Sequence, residues 1–105
     1  MKNNYKILLD SAKTKTLAAI SLVEASFTDL SPYDINRKYL QKELEPYDAL
    51  SDRFIRAVEA FIKFFRTYEY YLYTVNSGTY RDLLLNMEKQ DLISSVEIWI
   101  DMRDI

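Results

Sequence analysis

The chain reads as an all-α protein, an up-and-down bundle of four main helices with a short additional helix, and three observations predict it. Glycine occurs once and proline twice in 105 residues, against an average glycine usage of about 7%, so a hairpin-rich β-fold would lack its turns. Apolar residues recur at steps of three and four along most of the chain, the period of one helix face. Capping signals punctuate these runs, and no internal repeat, low-complexity tract or linker divides them. Residues 1–105 are therefore expected to form a single domain, large enough to bury about two-thirds of the surface its unfolded form exposes.

The first helix carries Tyr5, Leu8, Leu9, Ala12, Ala19, Ile20, Val23, Phe27 and Leu30 on one face, and Ser31-Pro32 ends it. The same dipeptide predicts a short second helix over residues 32–44, with Ser31 as cap, Pro32 at the first helical position and Asp34 as a capping-box acid. Pro46 limits it, because the residue before a proline is pushed out of helical geometry.

From Tyr47 the pattern becomes a heptad-like seam: Leu50, Phe54, Ala57, Phe61, Phe64, Tyr68, Tyr71 and Val75 follow in alternating steps of three and four. A second stripe of Ile55, Val58, Ile62, Phe65 and Leu72 widens the apolar face, so this long helix has two neighbours and is central. Its polar face sets Asp52 before Arg56 and Glu59 before Lys63 at i,i+4, pairs worth a few tenths of a kcal/mol each. The helix is expected to end at Asn76-Ser77-Gly78, where the lone glycine can turn left-handed. Thr79 then caps a helix with Asp82 at its third position and Leu83, Leu84 and Met87 on its apolar face. Ser94-Ser95-Val96-Glu97 opens the last helix, which carries Val96, Ile98, Trp99, Ile100, Met102 and Ile105 and has no stop signal.

Composition excludes much chemistry. The chain has no histidine and no cysteine, which removes Ser-His-Asp and Cys-His catalysis, disulfides, zinc ribbons and iron–sulfur clusters. One glycine cannot build a Walker A loop or a dinucleotide-binding turn. No cofactor and no metal is implied. No apolar run exceeds four residues, so neither a membrane span nor a signal-peptide core is present, and a cytoplasmic location is expected. The net charge is −2, from 14 basic and 16 acidic residues, unevenly spread. Residues 1–20 hold four lysines against Asp10, and residues 82–105 hold six acids against Lys89 and Arg103. The two segments could attract each other within the fold or across a symmetric dimer, or simply be solvated faces.

Five Phe, nine Tyr and one Trp invite a base-stacking reading. The helical spacing of Phe54, Phe61, Phe64, Phe65 and Tyr68 assigns these instead to core or dimer packing, and Tyr71 shares the seam. Tyr70, Tyr71 and Tyr73 cannot all face one core, so at least one exposes its ring. The carboxylate pairs Asp48/Asp52 and Asp101/Asp104 have helical spacing but no supporting ligand cluster, and no catalytic residue is assigned. Arg53, at the border of seam and polar face with Arg56 close by, is suited to an interfacial ion pair or a phosphate, or to ordinary snorkelling.

The strings Ala49-Leu50-Ser51-Asp52-Arg53-Phe54, Gly78-Thr79, Asp82-Leu83, Met87 to Ile93 and Glu97 to Ile105 together resemble the HEPN superfamily, and within it the HepT-type nucleotidyltransferase substrate-binding proteins. The resemblance covers residues 45–105 well and the first helix in outline. It implies a helical bundle that forms a homodimer beside a minimal nucleotidyltransferase, often as the metal-independent ribonuclease toxin of a toxin–antitoxin pair. It also implies RNA or nucleotide as a ligand, with Asp52, Arg53, Arg56 and Arg103 as candidate contacts. The family's active motif is an arginine followed four to six residues later by histidine, and it begins directly after the stretch matching Trp99 to Ile105. Arg103 matches an earlier arginine of the family, and no histidine completes a pair. Residues 1–105 are thus expected to be inactive as a ribonuclease, with the natural chain continuing into the motif; the competing explanation is a short, degenerate member that keeps dimerisation and partner binding. The alternative is a non-enzymatic homodimeric helical adaptor.

Overall fold

The computed structural model describes residues 2–103, apart from the side chains of residues 2, 3 and 29. Among the described residues it is all-helical, with α1 at Lys2–Asp29, α2 at Gln41–Tyr73, α3 at Tyr80–Lys89 and α4 at Val96–Arg103. The long helix α2 packs against each of the other three, as its two apolar stripes require, and most closely against α1. The arrangement is an antiparallel α1–α2 hairpin with α3 and α4 seated on one half of α2.

The α1–α2 contact is built from small residues. Ala12 and Thr16 are buried against the part of α2 that carries Ala57 and Ala60. The Thr16 hydroxyl points at the carbonyl of Ala12 at 2.8 Å and of Ala60 at 3.2 Å, so it bonds its own helix and its neighbour. Leu8 and Phe27, expected on the inner face, are 55% and 63% exposed.

No helix forms over residues 32–40, which corrects the expected short helix. Asp34 uses its carboxylate for a turn instead of a cap, accepting the Asn36 N–H at 2.9 Å while its carbonyl takes the Arg37 N–H at 3.1 Å. Tyr33 and Tyr39 stack beside this turn and Tyr47 meets both edge-on, with ring centroids 4.9–5.6 Å apart, and Arg37 lies over Tyr39 and bonds Glu43. Helix α2 starts at Gln41, where Glu43 accepts the Leu40 N–H at 3.2 Å. Pro46 therefore lies inside α2. It forfeits one N–H in the second turn, a loss that 33 residues of tertiary-packed helix absorb.

The other end of α2 also differs from expectation. Its left-handed terminal residue is Thr74, with φ 54°, and the glycine has no positive φ. The Thr79 cap is as expected, its hydroxyl accepting the Asp82 N–H at 3.1 Å. At α4 the cap is Ser95, whose hydroxyl lies 3.4 Å from the Ile98 N–H. Glu88, reaching over from α3, accepts the Val96 N–H at 2.9 Å.

The core is Phe65, Leu83, Leu84, Met87, Ile93 and Val96, with Phe61, Ile62, Phe64, Tyr68, Trp99 and Ile100 packed around it. Leu83, Leu84 and Met87 have no exposed surface. All of this lies on the α3–α4 half of α2.

Candidate functional site

Three surfaces meet on α2. The first is a groove along the side of the hairpin where Lys15, Ala18, Ala19 and Leu22 of α1 oppose Arg53 and Arg56 of α2, a space of about 260 Å³. It continues as a space of about 240 Å³ bordered by Leu8, Lys15 and Lys63. Arg53, Arg56, Lys63 and Arg66 follow at helical spacing, so four cations are strung along about 20 Å of α2. Three of the expected ligand contacts lie here. Arg56 pairs with Asp52 at 2.5 Å. Arg53 is half-buried and donates to the Leu22 carbonyl at 3.2 Å and the Ser26 hydroxyl at 2.8 Å. It ties α1 to α2 instead of reaching into solvent.

Arg103, the fourth, stands apart from them. Its guanidinium lies 4.3 Å from the centre of the Tyr80 ring, whose hydroxyl donates to the Trp99 carbonyl at 3.3 Å. It borders a second space, of about 440 Å³, with Lys63 and Arg66 around a floor of Ile55, Val58 and Ile62. Lys63, Arg66 and Arg103 form no ion pair with any described residue, Arg66 donating to the Ser77 carbonyl at 3.1 Å, so this basin sets three cations and Glu59 around an apolar floor.

The third surface is a cleft of about 190 Å³ where α1, α2 and α4 diverge, lined by Ile20, Val23, Phe54, Phe61, Trp99 and Met102. The five seam aromatics are divided between environments. Phe61, Phe64 and Tyr68 pack on the core, Phe61 meeting Trp99 edge-on at 5.2 Å. Phe54 lies in the cleft, and Tyr71 is half-buried. The ring exposed at the end of α2 is Tyr73, whose hydroxyl donates to Gln90 at 2.8 Å. Asp48 and Asp52 are both exposed on α2, and Asp104 of the other carboxylate pair lies outside the described residues.

The sequence reading missed Glu69, which is 1% exposed. Its carboxylate accepts the Ser77 N–H at 2.8 Å, the Ser77 hydroxyl at 2.6 Å and the Asn86 side-chain amide at 2.7 Å. Burial alone raises its pKa. The bonds from Ser77 and Asn86, with the Arg66 charge nearby, outweigh that and hold the carboxyl below its ordinary value. The signal was present: stepping along Ile55, Val58, Ile62, Phe65 and Leu72, position 69 falls in the stripe, and an acid on an apolar face needs partners. Its bonds pin the loop after α2 and the face of α3, a structural duty.

Compared with protein-family models, curated proteins and solved structures, the chain matches none.

Proposed function

We propose that this chain is a HEPN-type helical module that acts by association, as a homodimer that partners a minimal nucleotidyltransferase in a toxin–antitoxin or substrate-binding pair. The observation that supports association is the lopsided core: among the described residues, none between Leu17 and Arg56 is buried. A hairpin half whose apolar residues, Ile20, Val23, Leu50 and Phe54 among them, are only half-buried has apolar surface available to another chain. The identity of the partner rests on the resemblance. Its strings fall on framework positions, including the Thr79 cap and the buried Leu83, Met87 and Ile93.

RNA or nucleotide would meet the basin at Lys63, Arg66 and Arg103, or the groove at Lys15, Arg53 and Arg56, where phosphate would have to compete with Asp52 for Arg56 and with the α1 contacts of Arg53. No cleavage is expected from residues 1–105, since no side chain here activates a ribose hydroxyl as histidine would. Co-expression with the minimal nucleotidyltransferase encoded beside its gene tests the proposal. A stable complex is expected. A chain that stays monomeric and ignores the nucleotidyltransferase, or a gene with no such neighbour, overturns it.

A further inference from the structure

The loop that leaves α2 carries a reactive asparagine and its safeguard side by side. We propose that Asn76 is a deamidation site of this chain and that Glu69 guards it, by holding the backbone nitrogen that the reaction uses. Deamidation starts when the backbone nitrogen of the following residue attacks the side-chain amide carbon of an asparagine. The new N–C bond closes a cyclic imide, the Ser77 N–H proton leaves with the Asn76 amide group as ammonia, and water then opens the ring to aspartate or isoaspartate.

Position singles out Asn76. Asn3 and Asn4 lie within α1 and Asn86 within α3, where the helical backbone keeps the next nitrogen away from the side chain. Asn36 precedes Arg37, whose bulk hinders ring closure and whose N–H is held by the Asp34 carbonyl at 3.1 Å. Asn76 alone is followed by a small residue, Ser77 with Gly78 next, in the irregular segment between α2 and α3. It is exposed, and its amide has no hydrogen-bond partner among the described residues.

Against this stands Glu69. Its carboxylate accepts the Ser77 N–H at 2.8 Å and the Ser77 hydroxyl at 2.6 Å, while the Asn86 amide fixes the same carboxylate from α3 at 2.7 Å. An N–H bonded to a carboxylate neither gives up its proton readily nor turns toward the Asn76 amide carbon. The Glu69 carboxyl is held below its ordinary pKa, so the clamp stays charged at the mildly alkaline pH where deamidation runs fastest. The reaction therefore waits for a local opening of the loop. Its product alters the surface, because Asn76 and Arg66 border one space of about 360 Å³. A carboxylate at position 76 puts a negative charge into the space that Arg66 borders, next to the basin that Arg66 also lines.

The test holds the full chain at mildly alkaline pH and follows the tryptic fragment 67–81, whose only asparagine is Asn76, by mass spectrometry. Conversion is expected to be at least about tenfold slower in the folded protein than in a synthetic peptide of the same residues, a clamp held shut by more than about 1.4 kcal/mol. The Ser77 amide of the wild-type protein is expected to be protected from hydrogen exchange by a similar factor, because one opening frees the nitrogen for both reactions. Glu69→Ala is expected to bring the rate close to that of the peptide, with circular dichroism checking that the variant keeps its helices. Should it unfold, the wild-type exchange comparison decides. Folded protein that converts as fast as the peptide overturns the proposal. So does an unprotected Ser77 amide, a folded Glu69→Ala variant that converts no faster than wild type, or conversion of Asn36 ahead of Asn76.

Discussion

Glu69 shows how much one side chain can organise. Its carboxylate is fully satisfied by three bonds from Ser77 and Asn86, so removing it strands three donors. Glu69→Ala is expected to lower stability by about 2–3 kcal/mol, measured by urea denaturation, with Glu69→Gln intermediate. The pH dependence follows from the direction of its shift. Its folded-state pKa lies below the ordinary 4.5, so on acidification the unfolded chain takes up the proton first. The stabilisation is complete above the unfolded pKa and is lost as pH falls through the folded one. The urea midpoint should therefore decline more steeply below about pH 4.5 in the wild-type protein than in Glu69→Gln.

At the scale of elements, the helix ends give the sharpest tests, because they are where sequence and structure part. The left-handed residue after α2 is Thr74, a β-branched residue in a conformation that costs about 1–2 kcal/mol. Thr74→Gly is expected to raise stability by about 1 kcal/mol in thermal or urea unfolding. The protein's own glycine sits where nothing lies within 4 Å of an added Cβ and φ is not positive. Gly78→Ala should then be neutral or stabilising by up to about 1 kcal/mol, through the unfolded chain. Thr79→Ala, which deletes a cap that does form, should destabilise by about 1 kcal/mol.

The same ends explain what could be read in advance. Periodicity located all four helices and the buried face of α3, because those signals are repeated over many residues. Asp34 and Gly78 each offer one local signal with two uses, and tertiary context chose the other use. Pro46 misled for a related reason: its penalty is local, while the seam that carries the helix through it is long. Of the expected ligand contacts, Asp52, Arg53 and Arg56 lie together on one stretch of α2. Arg103 belongs to another basin, a distinction set by how α4 crosses α2 and invisible to spacing within a helix.

The whole molecule is elongated, 53 × 26 × 19 Å with a radius of gyration of 16.6 Å, against about 13 Å for a compact chain of this length. Among the described residues no salt bridge joins the basic first helix to the acidic last segment, and the backbone of α1 runs close to α2 and not to α3 or α4. That isolation of α1 bears on how the protein opens. A 28-residue helix with no acid in its first turn and no base in its last has an uncompensated dipole, and though it packs closely on α2 it contributes nothing to the buried cluster of Phe65, Leu83, Leu84, Met87, Ile93 and Val96. It is expected to open as a foldon of its own while α2, α3 and α4 keep their shared core. Native-state amide exchange should divide accordingly: α1 amides exchange through a local opening of low free energy, and those around Phe65, Leu84 and Met87 only with global unfolding. Uniform protection across all four helices would refute it.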